Sequence, residues 1–219
     1  MKNPDLPDDI LRRIIETVAA DDYARLGGFI RAGKGTNEMV FSKKVLSTVN
    51  VFPMFWKNYR DFEPRGRCRI FWEKSLAQLN LEVVYFERLR IAIHDGEVYG
   101  ATYLLEAIIP SDPRATLAAA MLCVCLGETA QASQLFREFT SHYAPLHSEY
   151  ARLIGDAVKE DIFWFNPPYG SSLEYSFLYP DDEFVQKPEC VSEDCGYGER
   201  YCNMCYIHWC SKLICGMLP

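Results

Sequence analysis

Apolar residues recur at helical spacing along most of this chain, beginning with LPDDILRRIIETVA. Ile10, Leu11, Ile14, Ile15 and Val18 form one stripe, and Arg12, Arg13 and Glu16 take the other side. Pro7 suits a first helical position because it has no amide hydrogen to leave unpaired, and Asp8 and Asp9 complement the positive end of the helix dipole. A helix therefore starts there. A second helical segment is expected over 21–32, capped by Asp21 or Asp22, and a third apolar stretch over 39–51 after a Gly-rich break at 33–37. Together they predict a three-helix module over residues 1–52. A unit that small buries too little surface to be comfortable alone, so an apolar stripe at its edge invites a partner.

Residues 53–67, PMFWKNYRDFEPRGR, read as a connection that still packs on something, and helical periodicity returns at Cys68. Asn80 to Ile93 stops at Asp95-Gly96 and resumes through 98–109; Asp112 to Leu126 stops at Gly127-Glu128 and resumes through 129–139. The two stretches match at a shift of 31–32 residues: Asn80 with Asp112, Tyr85 with Leu117, Gly96 with Gly127, Ala101 with Ala132, Leu104-Leu105 with Leu135-Phe136. Small residues at equivalent points let paired helices approach closely, as helix-turn-helix repeats require. A further helix around 148–159 caps a helical repeat domain spanning 68–160. Alternating Leu173, Tyr175, Phe177 and Tyr179 predict an extended strap within 161–185. Residues 186–219 form a separate Cys-rich tail. The class expected is mostly α.

Composition narrows the function. With 49% hydrophobic and 14% aromatic residues the chain can bury a real core, and it contains no apolar run long enough to cross a membrane and no secretory leader pattern. An intracellular protein with no membrane partner is expected. A net charge of −7 argues against nucleic acid as a partner. Six of the nine cysteines crowd the last thirty residues, which in a reducing compartment reads as metal binding. Cys190 and Cys195 form one pair and Cys202 and Cys205 another, joined by a loop in which Gly196 and Gly198 suit a knuckle-like turn. Four such thiolates match zinc; His208, Cys210 and Cys215 are competing ligands. From Asp181 onward the chain carries seven acids against Lys187, Arg200 and Lys212, unlike a nucleic-acid knuckle.

LPDDILRRIIETVA resembles the start of an F-box, and the wider order, ending in CGYGERYCNMC, is similar to a plant F-box family with tetratricopeptide-like or Sel-like helix pairs and a Cys-rich C-terminus. The matching positions are Leu6, Pro7, Ile10, Leu11, Ile14 and Ile15, then Leu26, Lys34 and Val45-Leu46. The resemblance implies that Leu6, Pro7, Ile10, Leu11, Ile14 and Ile15 dock a Skp-type adaptor in an SCF-type ubiquitin ligase, with a protein target held by the repeats. Tyr85, Arg88, Tyr99 and Tyr103 are the surface contacts expected for that target. The chain departs from the family's pattern at Ala32-Gly33-Lys34-Gly35, where such proteins commonly carry a Cys before the lysine and a bulky residue shortly after it. A stand-alone interaction scaffold with a degenerate F-box is the alternative.

No catalytic constellation stands out, and a non-enzyme is expected. GFIRAGKGT partly matches a phosphate-binding loop, which makes a nucleotide-binding enzyme a distant alternative. Such a loop needs a preceding buried strand and small interior residues, and here Phe29, Ile30 and Arg31 fill it.

Overall fold

The computed structural model describes residues 6–170, 173, 176–191, 195 and 202–219. Among the described residues are twelve α-helices and no strand, so the fold is mostly α. The chain divides into two compact units, Met1–Val84 and Tyr85–Pro219.

In the first unit α1 (Asp8–Asp21) starts directly after Pro7, whose carbonyl accepts the Leu11 N–H at 3.0 Å. Asp22 then accepts the Ala24 N–H at 2.8 Å and opens a 3-10 turn, Tyr23–Leu26. Three short helices follow: α2 (Gly27–Ala32), α3 (Lys34–Val40) and α4 (Lys43–Thr48). They replace the two longer segments expected, because the break is one residue wide. Gly33 alone adopts a positive φ of 149°, and Gly35 to Asn37 are helical. The end of α1 is tied to the end of α4 by backbone bonds, Asn50 N–H to Ala19 C=O at 2.9 Å and Tyr23 N–H to Asn50 C=O at 3.0 Å. Ile15, Ala19, Leu26, Val40, Val45 and Leu46 are buried.

The stretch expected to be a connection is instead α5 (Phe52–Asn58) and a 3-10 turn, Tyr59–Asp61. Pro53 sits in the first turn, and the Glu82 carboxylate accepts the N–H groups of Val51 and Phe52 at 3.0 and 3.2 Å. Aromatic packing joins the next helix, α6 (Arg69–Ala77), to the same unit: Phe71 lies 4.3 Å from the Tyr23 ring and Trp72 stacks on Phe62 at 4.1 Å. The first unit thus runs well past the boundary expected at residue 52. Asn80 closes it, donating to the carbonyls of Leu46 and Val49 at 3.1 and 3.0 Å while accepting the Val83 N–H at 3.1 Å. One buried amide satisfies the end of α4 and the start of α7 (Leu81–His94) together.

The second unit holds α8 (Val98–Leu105) with a 3-10 turn at Glu106–Ile108, α9 (Pro113–Leu126), α10 (Thr129–His142), α11 (Glu149–Trp164) and α12 (Tyr206–Met217). The internal match holds at its punctuation. Asp112 caps α9 through the Arg114 N–H at 2.7 Å, as Asn80 caps α7; Gly96 and Gly127 are both left-handed, at φ 70° and 78°; Ala101 and Ala132 are both fully buried. Helix α9 packs against α8, α10, α11 and α12. Every residue from Ala115 to Cys125 is buried.

Two expectations fail here. The C-terminal helix is core, not separate tail: Tyr206 donates to Asp156 Oδ1 at 2.5 Å, the Cys210 thiol to the Gly155 carbonyl at 3.4 Å, and a Cβ at Gly155 would lie 3.0 Å from the Tyr206 ring. The strap over 161–185 begins as the last turn of α11 and contains no strand among its described residues. Near Leu173 the chain turns instead, with the N–H groups of Ser176 and Phe177 both returning to the Leu173 carbonyl at 3.0 and 3.2 Å. With no partner strand among the described residues, these backbone groups pair locally. Tyr175 lies outside the described residues.

Removing Asn80 orphans two carbonyls and an amide, whereas removing Asp112 deletes one cap. Asn80→Ala is therefore expected to cost about 2–4 kcal/mol and Asp112→Ala about 1 kcal/mol, read from the midpoints of chemical denaturation.

Candidate metal centre and exposed faces

Four cysteines converge just before α12. Cys190 lies in a 3-10 turn, Glu189–Val191, and its carbonyl accepts the Cys195 N–H at 3.2 Å; Cys202 and Cys205 sit three apart, with Cys205 as the residue preceding the helix. All four Sγ atoms lie within 4.8 Å of one another. Cys202 Sγ is 3.7 Å from Cys190 Sγ and 3.5 Å from Cys205 Sγ. A tetrahedral ion with metal–sulfur bonds of about 2.3 Å sets its sulfurs about 3.8 Å apart. Two of the separations match that value and all lie within 4.8 Å, so the four thiols can hold a metal ion. Gly196 and Gly198 of the joining loop lie outside the described residues.

The thiols are unequal. Cys202, exposed and facing the Cys205 amide, is brought down to about 7, close to the range where thiolate is abundant. Burial raises Cys190 and, more strongly, Cys205. A cation at the centre reverses that balance by favouring the charged form of every ligand.

The competing ligands are placed elsewhere. Cys210 donates to Gly155, Cys215 donates to the Leu173 carbonyl at 3.2 Å, and His208 is packed among the rings of Phe177, Tyr179 and Trp209 at centroid distances of 5.5, 5.1 and 5.4 Å. Helical spacing explains this, since both His208 and Cys210 lie on the buried side of α12. The Nδ1 of His208 has no hydrogen-bond partner among the described residues. Burial first, then Lys187 and Lys212, lowers its pKa from 6.5 to about 4.

On α1 the six positions assigned to adaptor docking separate. Leu6, Ile10 and Ile14 are 55%, 40% and 38% exposed and Pro7 is also exposed; Leu11 is half-buried, and Ile15 is fully buried in the core. Lys34 of the GKGT stretch projects into solvent, 3.9 Å from Glu38, and the residues ahead of that stretch form a 3-10 turn and a short helix. No strand aims a phosphate loop there.

The expected target contacts also divide. Tyr99 and Tyr103 are exposed and Arg88 is half-buried, but Tyr85 is fully buried. Its hydroxyl donates to Asp161 Oδ2 at 3.0 Å, and Arg114 lies 3.5 Å from the same carboxylate and over the Tyr85 ring. Burial, reinforced by Asp161, holds the phenol protonated. Tyr85 is a core residue, not a surface contact. Spacing alone did not separate it from Tyr99, because a tyrosine serves either a core or a surface. Sequence reasoning also missed a groove along α10, where Gln131, Gln134 and Glu138 share one side of the helix.

Metal analysis of protein purified without chelator is expected to find about one thiophilic ion per chain, lost in Cys205→Ser and retained in Cys210→Ser. For His208 the folded state holds the neutral ring while the unfolded chain takes up a proton as pH falls from 6.5 toward about 4. Stability attributable to the buried ring therefore falls across that window. The difference in unfolding free energy between wild type and His208→Phe should change with pH there and be flat above it.

No protein-family model, curated protein or solved structure matches the chain.

Proposed function

We propose that the chain is the substrate receptor of an SCF-type ubiquitin ligase, docking a Skp-type adaptor through α1 and a protein target through the second unit. The observation that carries this reading is the apolar row of Leu6, Pro7, Ile10 and Ile14, turned to solvent while Ile15 anchors the helix beneath. An amphipathic helix ordinarily directs such residues inward; a solvent-facing row of them suits a grooved partner that covers it. The F-box resemblance names that partner. Ubiquitin transfer then belongs to other subunits, and this chain contributes proximity.

Zinc is the ion proposed for the four cysteines. An all-thiolate, four-donor set favours it over harder cations, and a closed site of that kind is structural. Its work is to order a short segment that has little core of its own.

A second reading, an interaction scaffold that does not bind the adaptor, draws on Gly33. The helix is interrupted at Ala32-Gly33-Lys34-Gly35, where the chain departs from the family's pattern.

Co-expression with a Skp-type adaptor followed by size-exclusion chromatography separates the two. A stable complex is expected, and Leu6→Asp/Ile10→Asp should weaken it about a hundredfold or more, since each side chain loses roughly 1.5–3 kcal/mol of burial at the interface. Both residues are exposed, so the variant keeps its fold. A folded, monomeric wild-type chain that elutes apart from the adaptor would overturn the receptor reading in favour of the scaffold.

A further inference from the structure

A groove with a volume of about 600 Å³ runs between α10 and the segment from Glu106 to Pro110. Its charged lining among the described residues consists of Glu106 and Glu138, with Gln131 and Gln134 between them and no lysine or arginine. Gln131 also lines a separate small cleft bordered by Tyr99 and Tyr103, one helical turn apart on α8 and 64% and 69% exposed. Glu106 accepts a hydrogen bond from Gln131, and His142 Nδ1 lies 3.4 Å from the Glu138 carboxylate.

We propose that this groove binds an extended basic peptide segment, with arginine or lysine side chains against Glu106 and Glu138 and a further cation over the exposed faces of Tyr99 and Tyr103. Charge complementarity selects the occupant. Two carboxylates on the walls of a concave surface reinforce one another's potential, and the net charge of −7 adds to it at longer range. The same negative field reaches Cys123 at the floor of the cleft, whose thiol is pushed up to about 12, first by burial and then by Glu106 and Glu128. Phenol rings with their faces in water attract cations, and guanidinium above all. The glutamines between the charged ends offer donors and acceptors to a peptide backbone.

As the target site of the receptor proposed above, the groove rests on that reading for its role. Binding itself is measured on the chain alone, so failure here leaves adaptor docking standing, and failure to bind adaptor leaves the groove standing.

The test is fluorescence anisotropy with a fluorescein-labelled peptide of alternating arginine and glycine, against a counterpart of alternating glutamate and glycine, at about 0.15 M salt. The arginine peptide should bind and the glutamate peptide should not. Glu106→Gln/Glu138→Gln should weaken binding about tenfold or more, whereas Glu149→Gln/Glu160→Gln, which removes the same charge from α11, should leave it unchanged. Tyr99→Ser/Tyr103→Ser should also weaken it, and because both side chains are exposed it keeps the test decisive if the glutamate variant unfolds. Absence of binding, or equal losses from the two glutamate pairs, would overturn the proposal; the latter would mean attraction to an acidic chain as a whole.

Discussion

Helix α9 has no outward face, and the second unit is built around that constraint. Ala115 to Cys125 are all buried, which requires neighbours on every side, and α8, α10, α11 and α12 supply them. Four alanines among those residues keep the helix slender, so the surrounding helices can approach closely. A helix without a solvent side must send its polar groups somewhere. Asp112 caps its start, Gly127 ends it in a left-handed turn, and the Val124 carbonyl at its end accepts the Leu178 N–H at 3.0 Å.

Buried polar groups serve the same purpose elsewhere. Asn80 joins two helix ends with one amide in the first unit. In the second, Asp161 receives the Tyr85 hydroxyl and faces Arg114, so that α7, α9 and α11 share a single carboxylate. Such a network is stabilising only when every member is satisfied. It therefore constrains register as well as energy: a one-residue rotation of any of the three helices would leave a charge without its partner in a poorly hydrated place.

The candidate sites lie where this packing leaves residues over. The solvent-facing side of α1, the four cysteines ahead of α12 and the acidic groove along α10 all use side chains that the cores do not consume. In the tail the division of labour is plain. Its helix is held by apolar burial against α9 and α11, while the segment before the helix brings four thiols together and has little apolar surface to bury. A metal ion held by those thiols would substitute there for a core.

Helix periodicity, the matched starts at Asn80 and Asp112, the stops at Gly96 and Gly127, and the two cysteine pairs were legible in the residues, because each is a local rule with a local cause. The start of α1 at Pro7-Asp8-Asp9 is another. What the sequence could not decide was which way a competent residue faces: Tyr85 inward and Tyr103 outward, Cys205 to the metal centre and Cys210 to the Gly155 carbonyl, Ile15 into the core and Ile14 into solvent. Local pattern also misjudged 53–67 and 173–179. There the structure is set by what lies across from the chain: aromatic partners that gather α5 and α6, and the absence, among the described residues, of a strand for an alternating segment to pair with. Periodicity determines the faces an element has; only the packing of distant segments determines which of those faces is covered.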